Sequence, residues 1–126
     1  MQGQWPRSAF AAYDRPIASS EFSVTVSTED SAEVVVVRGE VDLATVGALR
    51  GELTGALGRG EKVVLDLREV TFMDTQGLAA VIEAQQASAE SGTALVVVRA
   101  PATVHRLFDM IGLSDRLTVV DDPAAA

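Results

Sequence analysis

The stretch VTFMDTQGLAAVIEA, Val70 to Ala84, decides how the rest of the chain is read. Its opening residues are apolar or β-branched and suit a strand, while Leu78, Val81 and Ile82 recur at helical spacing. Between the two stand an acid, a hydroxyl, an amide and a glycine: Asp74, Thr75, Gln76 and Gly77. A helix start needs a cap, because the first-turn N–H groups have no partner of their own. An Asp or Thr oxygen there is worth about 1 kcal/mol. Two consecutive oxygen-bearing residues are more than one cap requires, so one of the pair should face solvent. A bland reading and a chemical one therefore stand side by side. In the first the pair only caps; in the second an exposed Thr75 hydroxyl is open to modification. Gly77 allows close packing of the first turn in either case.

Outward from this junction the pattern alternates. EFSVTVST, residues 21–28, places Phe22, Val24 and Val26 on one side, as in a half-buried edge strand. AEVVVVRG (32–39), KVVLDL (62–67) and TALVVVRA (93–100) are continuous aliphatic runs suited to strands covered on both faces. DRLTVV (115–120) is a weaker last strand. Val46, Leu49, Leu53 and Leu57 give one helix, stopped by Gly58 and Gly60. Gly92 ends the helix that begins near Thr75. Val104, Leu107, Phe108 and Ile111 form the apolar stripe of a third, opened by Pro101 and closed by Gly112. Strands alternating with helices imply crossovers on a largely parallel sheet, with the first two strands close enough to form a hairpin. The expected fold is α/β: a mixed, mostly parallel sheet of four to five strands with helices packed against it.

A chain of 126 residues suits one domain. Residues 1–20 read as a flexible N-terminal arm in which Trp5, Phe10 and Tyr13 are candidates for docking, 21–121 as the domain, and 122–126 as a C-terminal tail. Aromatics are only 5% of the chain, so Val, Leu, Ile and Ala must build the core. With no cysteine there is neither a disulfide framework nor a thiolate site. A net charge of -8 argues against nucleic acid and against an anionic membrane surface, both of which need clustered Lys and Arg. Nothing in the sequence approaches the roughly 20 apolar residues needed to cross a bilayer. Residues 1–20 also lack the uninterrupted apolar block of a secretory signal, and the expected compartment is the cytoplasm.

Several signals for catalysis fail. GALGRGEK, Gly55 to Lys62, superficially resembles a phosphate loop, but Glu61 follows the second glycine and the segment leads from helix into strand. His105 is the sole histidine, which rules out a His-rich metal site, and it reads as a partly exposed helix residue. No Ser-His-acid triad is assembled from it, and Asp121 and Asp122 read as solvated. The chain is expected not to be an enzyme and to carry no metal and no cofactor of its own. A phosphate on Thr75, by contrast, would add about -1.5 to -2 charge at a helix N-terminus, an end whose N–H groups and dipole tolerate an anion. With Asp74 next door the spot would become strongly negative, and the domain would stay folded while its docking surface became repulsive to an acidic or apolar partner.

Three segments now carry a family resemblance. RGEVDLAT (Arg38 to Thr45) looks like a Gly-Glu-x-Asp turn after a second strand. VTFMDTQGLAAV looks like a Met-Asp-Ser-Ser/Thr-Gly-Leu signature, and VHRLFDMIGL (Val104 to Leu113) is similar to an Arg-Leu-Phe-Asp-Met-x-Gly-Leu helix. In this order they resemble the STAS domain family, and most closely its bacterial anti-sigma factor antagonists, over about Phe22 to Val120.

The resemblance implies that Thr75, directly after the signature acid, is the phosphoacceptor. It further implies that Glu40, Asp42, Asp74, Gln76 and Gly77 share its partner-binding face. The implied partner is an anti-sigma factor, a GHKL-type serine/threonine kinase that supplies its own ATP, with a PP2C-type phosphatase to reverse the reaction. The unphosphorylated antagonist would bind that factor and release a sigma factor. Two positions depart from the family. Thr75 stands where Ser is usual and adds a β-methyl that stiffens χ1, and Gln76 replaces a small hydroxyl residue with a long amide. A constitutive STAS scaffold, in a stress-signalling complex or a lipid-transport ATPase, is the alternative implied by the same fold.

Overall fold

The valine-rich runs pair into one sheet, and the computed structural model, which describes residues 21–126, places them in adjacent strands. The expectation that both faces are covered is corrected, since the helices lie on one face. The described residues form β1 (Ser23–Glu29), β2 (Ala32–Val41), α1 (Val46–Arg59), β3 (Lys62–Met73), α2 (Thr75–Ser91), β4 (Ala94–Val98), α3 (Ala102–Met110) and β5 (Thr118–Val120). The strands lie side by side in chain order in a five-stranded sheet. β1 pairs antiparallel with β2, and every later pair is parallel. The expected mixed, mostly parallel α/β sheet and its opening hairpin are both present. The expectations for residues 1–20, with Trp5, Phe10 and Tyr13, lie outside the described residues.

Each parallel step passes through one helix and advances one strand in the same direction. Right-handed crossovers then put all three helices on one face. The core agrees: Val35, Val37, Val63, Leu65, Leu67, Leu95 and Val97 share one cluster with Leu49 and Leu53 of α1, Val81 of α2 and Phe108 of α3. Strand side chains alternate, so Val34, Val36, Val64 and Asp66 point the other way, into a groove that Pro123 and Ala126 also line. The last residues, read from sequence as a tail, form a single 3-10 turn there, with Asp122 accepting from the Ala124 N–H at 2.8 Å.

Charged side chains pin the layers. Arg50 of α1 grips Glu83 of α2 with two bonds of 2.8 and 3.0 Å. At the other end of α1, Arg59 donates to Glu33 of β2 at 3.0 Å, and the Thr28 hydroxyl donates to the same carboxylate at 2.6 Å. The two donors hold the Glu33 carboxyl below its ordinary 4.5. Burial alone would raise Asp66, but the Arg68 guanidinium and backbone N–H outweigh it and hold the group below its ordinary 3.8. Both carboxylates therefore stabilise the fold above those values, and the contribution is lost as pH falls through their lower folded values.

Two sequence expectations are corrected in α3. His105 is not partly exposed: only 3% of it remains accessible. It lies one position from Val104 and three from Phe108, and the turn Leu113–Asp115 folds back over it. Its ring stacks obliquely on Phe108 with centroids 5.2 Å apart. Ile111, in contrast, is exposed although it has the phase of the buried stripe, because the helix ends at Met110.

The fold also gathers Ser114, His105 and Asp109, which sequence spacing gave no reason to join. The Ser114 hydroxyl donates to Asp109 at 2.5 Å and lies 3.3 Å from His105 Nε2. This is not a catalytic triad, since serine and acid both crowd Nε2 while Nδ1 is buried without a partner. Burial, then the Arg99 charge, lowers His105 from its ordinary 6.5, against the opposing pull of Asp109 and Asp121. A base held neutral in the fold and free to protonate when unfolded costs stability as pH drops below 6.5. Urea unfolding midpoints should therefore fall between about pH 7 and pH 5, above the range where the carboxylates act. His105→Leu should flatten that decline, and a slope unchanged in the variant would assign it elsewhere.

Candidate functional site

The parallel pairing of β2 with β3 brings the two loops at their C-terminal ends together. Glu40 pairs with Phe72 and Val41 with Met73, and the Asp74 N–H donates to the Val41 carbonyl at 3.1 Å. Just before this edge Gly39 has φ 85°, a conformation that suits glycine. The strand pairing shifts there, and Glu40 is left exposed.

After β2 the chain makes a tight side-chain-locked turn. The Thr45 hydroxyl donates to the Glu40 carbonyl at 2.9 Å and accepts from the Asp42 N–H at 3.0 Å. Asp42 Oδ1 accepts from the Ala44 N–H at 3.0 Å. Asp42 is thus a half-buried turn builder, and Thr45, which the sequence reading did not single out, holds the turn closed.

At the second loop the backbone decides which oxygen caps. Asp74 adopts φ -102° and ψ -169°, outside the helix, and its Oδ1 accepts from the N–H groups of Gln76 at 2.8 Å and Gly77 at 3.3 Å. Thr75 is the first helical residue; it is exposed, and its hydroxyl has no hydrogen-bond partner among the described residues. The two-oxygen puzzle is thereby resolved: Asp74 does the capping and Thr75 is left over. Gln76 is half-buried beside it. Gly77 is buried, and a Cβ there would collide with the Met73 side chain and come within 2.9 Å of Val41 Cγ1. The start of α2 is therefore clamped onto the ends of β2 and β3. Losing the cap in Asp74→Ala should cost about 1 kcal/mol, read as a fall of roughly 4–8 °C in the thermal midpoint.

Two residues that the sequence reading missed complete the edge. Leu43 in the first loop is 76% exposed and Phe72 beside the second is 48% exposed. Neither left a signal in the sequence: a period-two reading from Val70 puts Phe72 on the buried side, but the alternation breaks here, with Val70 and Met73 both buried and Thr71 and Phe72 exposed. The edge thus carries two exposed apolar side chains, Leu43 and Phe72, the acids Glu40, Asp42 and Asp74, and the exposed Thr75 at a helix start.

This geometry can be set beside known proteins. A family model described as "Mlab, STAS domain" matches residues 24–121. The chain belongs to the STAS domain family. An anti-sigma F factor antagonist of Paenibacillus polymyxa is 30% identical over 108 residues, spanning 82% of this chain and 92% of that one. Among solved structures, an anti-sigma factor antagonist from Mycobacterium paratuberculosis superposes with a TM-score of 0.75 at 24% identity, over 86% of this chain and 92% of the other. SpoIIAA, a Bacillus cell-fate determinant, has been solved unphosphorylated and phosphorylated. The TM-scores are 0.67 and 0.65 at 19% and 18% identity, covering 83% of this chain and 92% and 96% of those chains. At these identities the structural likeness speaks to the fold alone, and it is the STAS fold. No helix among the described residues is long and apolar enough to cross a membrane.

Proposed function

We propose that this STAS domain is an anti-sigma factor antagonist that docks through the edge formed by the two loops and is switched by phosphorylation of Thr75. The observation that carries the reading is the division of labour at the helix start, where Asp74 satisfies the backbone and the Thr75 hydroxyl stays exposed with no hydrogen-bond partner among the described residues. Exposed Leu43 and Phe72 supply the apolar contact area that a docking surface needs, and Glu40, Asp42 and Asp74 its acidic rim. The names of the related antagonists support an anti-sigma factor as partner.

The switch follows from charge. A phosphate on Thr75 adds about -1.5 to -2 charge at the centre of the face. The helix N-terminus tolerates it, so the domain keeps its shape while the docking surface becomes repulsive. The phosphoryl donor is ATP bound by the anti-sigma factor, itself a GHKL-type kinase, and the acceptor is Thr75 Oγ1. A PP2C-type phosphatase hydrolyses the ester and restores binding, all within the cytoplasm. Incubating the chain with its anti-sigma factor and ATP should add one phosphate by intact mass. Thr75→Ala should abolish the addition. A phosphate that persists in Thr75→Ala sinks the assignment.

A constitutive adaptor is the second reading, favoured by half-buried Gln76, whose long amide stands beside the acceptor. It predicts stable binding that is indifferent to ATP.

A further inference from the structure

α1 and α2 pack side by side over one core, yet their sequences treat the helix in opposite ways. Of the 14 residues of α1, Gly47, Gly51, Gly55 and Gly58 are glycine, the residue that weakens a helix most after proline. α2 instead holds Ala79, Ala80, Ala84, Ala87 and Ala89, the type that favours a helix most. Packing does not ask for the glycines of α1. A Cβ added at Gly47, Gly51 or Gly58 would meet nothing within 4 Å among the described residues, and at Gly55 only the flexible end of the Arg59 side chain. Nor does any of the four have a positive φ. Gly77 of α2 is the contrast, since a Cβ there collides with Met73 and Val41. The start of α1 is also weak. Thr45 stands at its N-cap without a side-chain cap bond, because its hydroxyl is committed to Glu40 and Asp42, whereas Asp74 gives α2 two.

We propose that α1, together with the turn of residues 42–45 that leads into it, is a labile unit that opens while the sheet, α2 and α3 stay closed. Stability is not uniform across a fold, and an element whose backbone is intrinsically costly is the first to open. Each glycine in a helix interior lowers the helical population about four- to fivefold relative to alanine. What holds α1 down is its inner side, where Val46, Leu49, Leu53 and Ala56 join the core. The exposed Arg50–Glu83 pair adds little to that hold. The turn and the helix open together because they share an acceptor. The Asp42 carbonyl takes the N–H of Thr45 at 3.1 Å and that of Val46 at 2.8 Å. Opening therefore releases Asp42 and Leu43 from their locked geometry. A partner that grips this turn in its closed form binds with an affinity reduced by the open fraction. That consequence rests on the function proposed above; the lability rests on helix composition and capping alone.

Hydrogen exchange of the full chain, followed residue by residue by NMR, tests this without a partner protein. The N–H groups in the middle of α1 should show protection factors at least about tenfold below those in the middle of α2 and in β3. In low urea the exchange of α1 should hardly change with denaturant, as a small opening requires, while that of β3 should quicken steeply. Gly47→Ala, Gly51→Ala and Gly58→Ala combined should raise the protection of α1 about 20-fold or more. Equal protection in α1 and α2 overturns the proposal. So does an unchanged or lower protection of α1 in the triple variant, which would give the glycines a packing role. Protection of α1 that rises with protein concentration also overturns it, since the glycines would then serve contact between copies. Because no anti-sigma factor is present, failure here leaves the functional reading standing, and failure of that reading leaves these outcomes unchanged.

Discussion

Thr75→Glu is expected to weaken binding to the anti-sigma factor on the order of 100-fold, since juxtaposed like charges cost several kcal/mol and each 1.4 kcal/mol is about tenfold. Thermal stability should stay within about 0.5 kcal/mol of the unsubstituted chain, because the site is exposed and an acid at a helix start is favourable. The separation of the two effects is the point of the experiment. The Thr75 hydroxyl has no hydrogen-bond partner among the described residues, so replacing it removes no internal side-chain hydrogen bond there. The charge is added directly beside Asp74, at the sheet edge that also carries Glu40 and Asp42, and makes an acidic surface more negative. Titration calorimetry against the cognate factor measures the affinity, and circular dichroism measures the melt. Thr75→Ala serves as control and should bind as the unsubstituted chain does. Equal affinity of Thr75→Glu and the unsubstituted chain would leave Thr75 without a charge-switching role and favour the adaptor reading.

The largest expected loss of stability is in Phe108→Ala. Phe108 is fully buried on α3, where it joins the core cluster and carries the tilted ring of His105. Removing a buried Phe side chain costs about 3–5 kcal/mol through lost transfer energy and the cavity left behind. That is a large share of the roughly 5–15 kcal/mol that holds a domain together. The thermal midpoint should fall by at least about 12 °C. Met110→Ala, two residues on and 73% exposed, is the internal comparison, and it should change stability by less than about 0.5 kcal/mol. If the two variants melt alike, α3 does not contribute its Phe108 face to the core.

Much of this architecture was legible because its signals are local. Aliphatic runs such as Val34 to Val37 and Val63 to Leu65 cannot be left in water, and their separation by helix-length segments makes parallel crossovers the economical solution. Gly92, at φ 79° just after α2, ends that helix where the sequence reading expected. The placement of a helix start at Asp74 and Thr75 belongs to the same class, since capping needs only residues within one turn.

What tertiary structure decided are the matters that depend on partners far along the chain or on a backbone angle. Periodicity put Ile111 inside and left His105 half outside. The end of α3 at Met110 and the return of Leu113–Asp115 reversed both. Arg59 meets Glu33 and Arg50 meets Glu83 across 26 and 33 residues, separations over which no local pattern operates. The two-oxygen sequence at Asp74 and Thr75 could say that one side chain would be spare; the extended conformation of Asp74 chose which. The sequence by itself determined the strand and helix segments, the single sheet and the junction carrying the hydroxyl, because hydrophobic period and capping act within a few residues. Only the folded chain brought Leu43, Phe72, Glu40 and Thr75 to one edge, because strand register converts separation along the chain into adjacency in space.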